Sequence, residues 1–416
     1  MPRRLLPVLL GLAFASAVWA GDPWPQWRGP NRDGVSAEKG LLDQWMDAPP
    51  LVWKAEGLGN GYAGAVVENG IVCTMGSRKG KATVVALRDK DGKELWRTEI
   101  GDSGDSAVGS MCTPTMDGER VYAVSGGGNL VCLKTATGER VWEKSYKQDY
   151  DGHTQQFGYA ESPLIDGDKL ICSPGGAEAG VVALDKKTGK ELWRCPLTFD
   201  GKKGVGASYA SVVISHGAKV KQYVQLMKQG LVGIDARTGK QLWSYSRLGA
   251  INSPSTCIIR DDYLFAPCGW YVGSALLKLV PAGDGGMEAK EVYLLGPQKL
   301  ATNSGGAVLV GDYVYASHVQ TGMPQCIEFL TGKLMWEKDR GPGSGPAAVV
   351  YADGHLYFQY ESGVVALVAA TPEKYQLKGQ FQSPDNSRSL AHPSISNGRL
   401  YLREQDALYC YDLRKQ

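Results

Sequence analysis

A thirteen-residue frame recurs along this chain and restricts its fold more than any other feature. In VVALDKKTGKELW (181–193) a β-branched apolar run suits a buried strand, and Trp193 lies in a return strand. Between them Asp185 can fold its carboxylate onto backbone N–H groups, and Thr188-Gly189 completes a tight turn that needs positive φ. The frame returns as VVALRDKDGKELW (84–96), LVCLKTATGERVW (130–142), LVGIDARTGKQLW (231–243) and PQCIEFLTGKLMW (324–336), always with Gly four residues before Trp. Degenerate copies follow at 275–293, with a longer turn and Tyr293 in the Trp slot, and at 364–377. A last copy, ALYCYDL (407–413), stops before its return strand. Repetition at roughly 43–51 residues is the mark of a propeller or solenoid, so 416 residues need not imply several cores.

The segments between frames complete the repeat. YAGAVVENG (62–70), SMCTPTMDG (110–118) and YAESPLIDG (159–167) each run from a polar or Gly-rich start through an apolar stretch to a turn. They predict inner strands beginning at Tyr62, Ser110, Tyr159, Tyr209, Asn252, Asn303, near Gly345 and at His392. The expected fold is therefore all-β: a single eight-bladed propeller of four-stranded antiparallel blades over residues 51–416. LVWKAE (51–56) looks like a lone return strand with Trp53 in the Trp slot, and the last frame lacks one. Joining them closes the ring and protects its edges. Residues 21–50, rich in Trp, Pro and Gly, form an irregular lead-in expected to pack across the propeller, with one helical turn at 41–46.

Residues 1–20 read as a secretory signal peptide: Arg3 and Arg4, then an apolar run, then Val18-Trp19-Ala20 as the cleavage context. No Cys follows until Cys73, so a lipid anchor is not expected, and the destination is the periplasm or the exterior. Formal net charge is +2, and losing the two arginines leaves the mature chain neutral. A neutral chain argues against nucleic acid as the main partner. No apolar run beyond the N-terminus is long enough to span a bilayer, and a monomer is expected. Nine Cys in an exported chain invite a disulfide reading. The frame argues otherwise for Cys132, Cys326 and Cys410. They occupy the slot of Ala86 and Ala183, and equivalent slots on neighbouring blades lie beyond disulfide reach. They are expected to be buried free thiols.

The A-L-D-x-x-T-G-K-x-x-W frame resembles the repeat of the pyrroloquinoline quinone (PQQ) propeller superfamily, which includes PQQ-dependent alcohol dehydrogenases and the non-enzymatic outer-membrane assembly factor BamB. The lead-in WPQWRGPNRDG is similar to that of exported bacterial PQQ-repeat-like proteins. The resemblance covers the chain from Trp24 onward. It implies that Trp53, Trp96, Trp142, Trp193, Trp243 and Trp336 dock each blade on the next. It does not fix activity. Enzymes of the superfamily hold PQQ between a Trp and a disulfide of adjacent cysteines, with Ca²⁺ on Glu, Asn and Asp oxygens. On that pattern Glu161, Asn252 and Asn303 are the cofactor-binding candidates, but this chain has no adjacent cysteines.

The expected site is the axial rim, where Tyr62, Tyr159, Tyr209 and His392 stand with those three as ligand-binding candidates. Aromatic rings beside carboxamides suit an envelope protein, a peptide or a glycan; the alternative is a water-filled channel with satisfied polar walls. No catalytic residue and no metal site is assigned. The His are scattered, and GNGYAG (59–64) matches G-x-G-x-x-G but leads into a strand, so it offers no helix end for phosphate. Asp149, Asp151 and His153 read as a solvated loop. H-E-x-x-H and G-x-S-x-G are absent from the sequence. The chain therefore reads as an exported, non-catalytic binding or scaffold propeller that needs no cofactor, resembling BamB in kind. The alternative is a PQQ-dependent alcohol or sugar dehydrogenase with PQQ and Ca²⁺.

Overall fold

Turn chemistry sets the hairpin of each frame. In the third blade, strand Val181–Asp185 pairs antiparallel with Glu191–Cys195, and Ala183 faces Trp193. Asp185 Oδ1 accepts the N–H of Lys187 and Thr188 at 3.1 and 2.8 Å and the Thr188 hydroxyl at 2.7 Å. These bonds hold the Asp185 carboxyl below its ordinary range. Directly after the Trp-facing pair, the register slips by one residue in this blade and in four others, and the slip recurs after Tyr293 in the fifth blade and after Gly379 in the seventh. The slip is a β-bulge that leaves the residue before the aromatic unpaired and turned outward. It explains the half-exposed Leu95, Val141, Leu192 and Val292 on the rim.

The computed structural model describes residues 22–104, 109–249, 254–269, 271–283, 286–302, 306–337, 341–385 and 387–415. Eight four-stranded antiparallel sheets follow one another in chain order, with one extra hairpin (Leu197–Phe199 and Lys202–Gly204) after the third. Inner strands such as Val66–Glu68 and Leu164–Asp166 have a sheet neighbour on one side only. The ring closes as expected. Leu51–Ala55 forms the outer strand of the eighth blade against Ala407–Asp412, with Lys54 opposite Tyr409. Because the strands alternate in direction, the inner-to-second and third-to-outer turns share one face, here the turn face. The blade-to-blade connections lie on the opposite, loop face.

The core lies between blades, and the frame aromatics build it. The Trp53, Trp96 and Trp142 indole N–H groups donate to the Asp89, Thr135 and Lys186 carbonyls of the following blade at 2.7, 2.8 and 3.1 Å. These acceptors fill the same slot in successive frames. Tyr293 repeats the contact with its hydroxyl, which donates to Phe329 O at 2.7 Å. Each ring lies flat on the turn glycine of the next frame. A Cβ on Gly138 (φ 72°) would sit 2.4 Å from Trp96, so that glycine is required by contact as well as by φ. Trp193 and Trp243 depart from the pattern. Lys169 takes the Ala236 carbonyl that Trp193 would use, and Trp243 donates to Gln222 of its own blade.

Three expectations need correction. No helical turn forms at 41–46, because Leu41 bridges Arg414 and Trp45 N–H donates to Lys378 O. The inner strands begin later than their polar starts. Val66 starts the first, four residues after Tyr62; Leu164 the third, five after Tyr159; Val213 the fourth, four after Tyr209; and Ser394 the eighth, two after His392. Asp149, expected in a loop, lies instead in a short helix, Tyr146–Tyr150, after the second blade, whose N-cap Ser145 accepts from Gln148 N–H. The loop reading of Asp151 and His153 agrees with their exposed 3.7 Å contact. Residues 1–21 lie outside the described residues, and with them the signal peptide. Among the described residues no helix is long and apolar enough to cross a membrane.

All nine cysteines are buried, and none of them forms a disulfide among the described residues. Cys132, Cys326 and Cys410 each sit in register between a Tyr and a Trp: Tyr122 and Trp142, Tyr315 and Trp336, Tyr401 and Trp53. Burial pushes their thiols up, those of Cys326 and Cys410 to about 12, which suppresses the reactive thiolate. Iodoacetamide should therefore leave these three unmodified in the native protein and alkylate all of them after denaturation without reductant. A disulfide between any two, seen by mass spectrometry, would contradict the blade register.

Candidate functional site: the axial channel

The channel is plugged by the lead-in, which touches every blade. It enters over the turn face, where the Leu41 N–H donates to Asp353 of the seventh blade and the Glu38 carboxylate accepts Gly398 N–H of the eighth. Trp24 pairs with Val67 through two 2.9 Å backbone bonds, and Met116 N–H donates to Pro25 O. In the adjoining seventh and eighth blades, Val35 bridges Tyr351 in parallel, and the Ser36 hydroxyl donates to Ile395 O.

Two arginines cover the remaining arc. Arg28 and Arg32, four residues apart, both adopt left-handed backbone, with φ of 59° at each. Such conformations persist in non-glycine residues only where surroundings hold them. Arg32 donates to the carbonyls of Ser162 and Val212 at 3.0 Å each, to Pro163 O, and to Gln26 Oε1 at 2.8 Å. It thereby ties the third blade to the fourth. Arg28 donates to Asp33 O and to Ala307 O of the sixth blade, and lies 3.4 Å from His392 Nδ1. Between them, the Trp27 indole N–H donates to Thr256 Oγ1 of the fifth blade at 2.8 Å, and its ring lies 4.3 Å from that of His392. Burial lowers Arg28 to about 10 and Arg32 to about 9, both still cationic at neutral pH. Gly34 (φ 78°) permits this arrangement, since a Cβ there would fall 2.6 Å from the Arg28 guanidinium.

The sequence candidates sit around this plug, and the described ones are buried, not displayed on an open rim. Tyr62 is 8% exposed, Tyr209 6%, His392 3% and Tyr159 1%. Tyr159 donates its hydroxyl to Pro174 O, and the Tyr209 hydroxyl accepts Phe157 N–H, both at 3.0 Å. Glu161 is fully buried; its Oε1 accepts the Tyr146 hydroxyl at 2.9 Å and Ser173 N–H at 2.6 Å. The Tyr146 and Tyr159 rings meet edge to face beside it, 5.0 Å apart. Burial raises the Glu161 carboxyl pKa, while those hydrogen bonds and the Arg32 charge oppose the rise. Asn252 and Asn303 lie outside the described residues. Trp24, Trp27, Arg28 and Arg32, absent from the candidate list, are the lead-in groups that reach the channel wall. The only signal for them is the pair of Arg in RGPNRDG, each near a Gly.

A family model described as outer membrane protein assembly factor BamB, built on PQQ repeats, matches residues 44–220 and 163–376. The chain belongs to this BamB-type PQQ-repeat family. Among curated relatives of the family, 120 residues are 31% identical to the quinohemoprotein alcohol dehydrogenase ADH IIB of Pseudomonas putida, covering 27% of this chain and 17% of that one. A further 155 residues are 26% identical to the outer membrane protein assembly factor BamB of Burkholderia pseudomallei, covering 37% and 36%. The matched stretches thus span only 17% to 36% of these relatives' own length. The crystal structure of the quinohemoprotein alcohol dehydrogenase from Comamonas testosteroni superposes with a TM-score of 0.67, covering 95% of this chain and 81% of that one at 14% identity. At that identity the likeness establishes the propeller fold alone. The PQQ-repeat family contains both enzymes and assembly factors, so the choice between them rests on the site.

Proposed function

We propose that this PQQ-repeat propeller is an exported, non-catalytic binding or scaffold module of the cell envelope, resembling BamB in kind. Its partner is an envelope protein, a peptide or a glycan engaged at an axial face. The observation that supports this reading is the plugged axis: Arg28, Arg32 and Trp27 occupy the channel wall where a catalytic propeller needs an open, polarising site. Among the described residues, which leave out Asn252 and Asn303, the groups present do not favour PQQ with Ca²⁺. Glu161 has one oxygen taken by Tyr146 and Ser173 and lies behind two tyrosine rings. A guanidinium, Arg32, supplies its nearby positive charge. No two cysteines are adjacent, and no cluster of three or more His, Cys, Asp and Glu suits a metal among the described residues.

The test is a dye-linked oxidation assay on alcohols and sugars, with and without added PQQ and Ca²⁺. The expected result is no turnover above a protein-free control. Turnover that disappears in Glu161→Gln would overturn the proposal and establish the quinone-dependent dehydrogenase instead.

A further inference from the structure

The seam between the third and fourth blades breaks the docking pattern, and a basic hollow lies there on the turn face. Asp89, Thr135 and Lys186 each give their carbonyl to an indole N–H, whereas Ala236, in the same frame slot, accepts the Lys169 ammonium at 2.6 Å. The Trp193 Nε1–H is buried without an acceptor among the described residues. The eighth blade shows what Lys169 lacks. Lys169 opens its strand opposite Asp185 as Arg399 opens its own opposite Asp412. Arg399 reaches across its seam to both the carbonyl and the carboxylate of Asp89, at 2.7 and 3.0 Å. With Ala236 in the Asp89 slot, Lys169 gains the carbonyl without the counter-charge.

The hollow, about 310 Å³, is lined by Lys169, Lys219, Lys221 and Arg237 and by Asp166 and Asp235. Four cations against two carboxylates leave a surplus of two positive charges. Both carboxylates are engaged within the fold. Asp166 is held by Lys221 and by the Tyr223 hydroxyl, both at 2.6 Å. Asp235 Oδ1 accepts the N–H of Arg237 and Thr238 at 3.0 and 2.6 Å and the Thr238 hydroxyl at 2.8 Å. Lys169, Lys219 and Arg237 are left to meet an incoming group. The turn carrying Lys219 is itself constrained: Ala218 and Lys219 are both left-handed, with φ of 52° and 62°, and Ala218 N–H donates to Asp262 Oδ1 at 2.7 Å. Such backbone persists only where neighbours hold it.

We propose that this hollow binds a phosphate dianion, free or as a terminal monoester, with Lys169 and Lys219 as point charges and Arg237 as a bidentate fork. A surplus of two charges matches a dianion, where a single carboxylate would leave one uncompensated. When Lys169 turns to the anion, the Ala236 carbonyl passes to the Trp193 N–H, in the manner of the Trp96 and Trp142 seams, so no acceptor is orphaned. The site lies off the axis and stands independently of the non-catalytic reading.

Isothermal titration of the full chain with sodium phosphate, glycerol 3-phosphate and sodium acetate, in mildly alkaline buffer of fixed ionic strength, tests the site. Both phosphates should bind about tenfold more tightly than acetate. Binding of the inorganic ion alone would assign the site to free phosphate. Lys169→Met, which keeps an unbranched stem, should weaken phosphate about tenfold, and so should Arg237→Gln, a change at an exposed side chain that leaves the fold intact. Lys240→Met, on the same turn but outside the lining, should leave binding unchanged. Acetate binding as tightly as phosphate would overturn the proposal, as would full phosphate affinity in Arg237→Gln. An equal loss in Lys240→Met would overturn it too, since diffuse surface charge would then account for the binding. Absence of binding at millimolar phosphate also ends it.

Discussion

Arg32→Ala should lower unfolding stability by about 3–5 kcal/mol, the largest loss expected from a single lead-in residue. The Arg32 side chain is buried and donates to carbonyls of Ser162, Pro163 and Val212. Truncation leaves those acceptors facing a dry gap, at about 1–3 kcal/mol for each that water cannot reach. It also removes the positive charge that steadies the buried Glu161. Arg32→Lys should recover less than half of the loss, because one ammonium cannot span carbonyls on two blades. Urea unfolding followed by circular dichroism measures both variants. A midpoint unchanged in Arg32→Ala would mean that water already serves these carbonyls and that the lead-in is a loose cover, not a plug.

That lead-in shows where legibility in the sequence ends. The frame is local: its turn, its glycine and its aromatic lie within thirteen residues, and repetition averages out the noise of any one copy. Blade number and ring closure follow, and both agree with the sheets observed. The bulge before each aromatic is not legible, because Leu95 and Leu192 look like ordinary strand residues until pairing forces them outward. The plug is less legible still. Arg28 and Arg32 find backbone carbonyls far along the chain, and a carbonyl acceptor leaves no trace in residue type. Two arginines in left-handed conformation cannot be inferred from RGPNRDG by propensity.

The burial of the candidate residues is hidden for a related reason. Tyr62, Tyr159, Tyr209, Glu161 and His392 share a position just before the inner strands. Exposure, however, depends on what covers the axis. The single-copy lead-in lacks the periodicity that made the blades readable. Glu161 illustrates the point. Its strand position suggested a ligand, while Tyr146, from a helix with no signal in the frame, makes it part of a buried hydrogen-bond set.

The closing seam makes the second large prediction. Trp53→Ala should cost about 3–5 kcal/mol, and Trp193→Ala roughly half that, although both fill the same slot. Trp53 is 7% exposed and lies on Gly92 of the first blade, where a Cβ would come within 2.6 Å of its ring. It also joins the N-terminal strand to the strand carrying Cys410, so its packing holds the ring shut. Trp193 is only partly buried, and Lys169 already holds the carbonyl it would use. The loss at Trp53 is one of packing more than of hydrogen bonding. The Asp89 carbonyl keeps a 2.7 Å bond from Arg399 when the indole N–H is gone. Trp53→Phe, which retains a ring without the N–H, should therefore restore most of the stability, measured again by urea midpoint. Equal losses in the two alanine variants would show that the closing seam is no tighter than the others. A Trp53→Phe protein as weak as Trp53→Ala would transfer the cause from packing to the hydrogen bond.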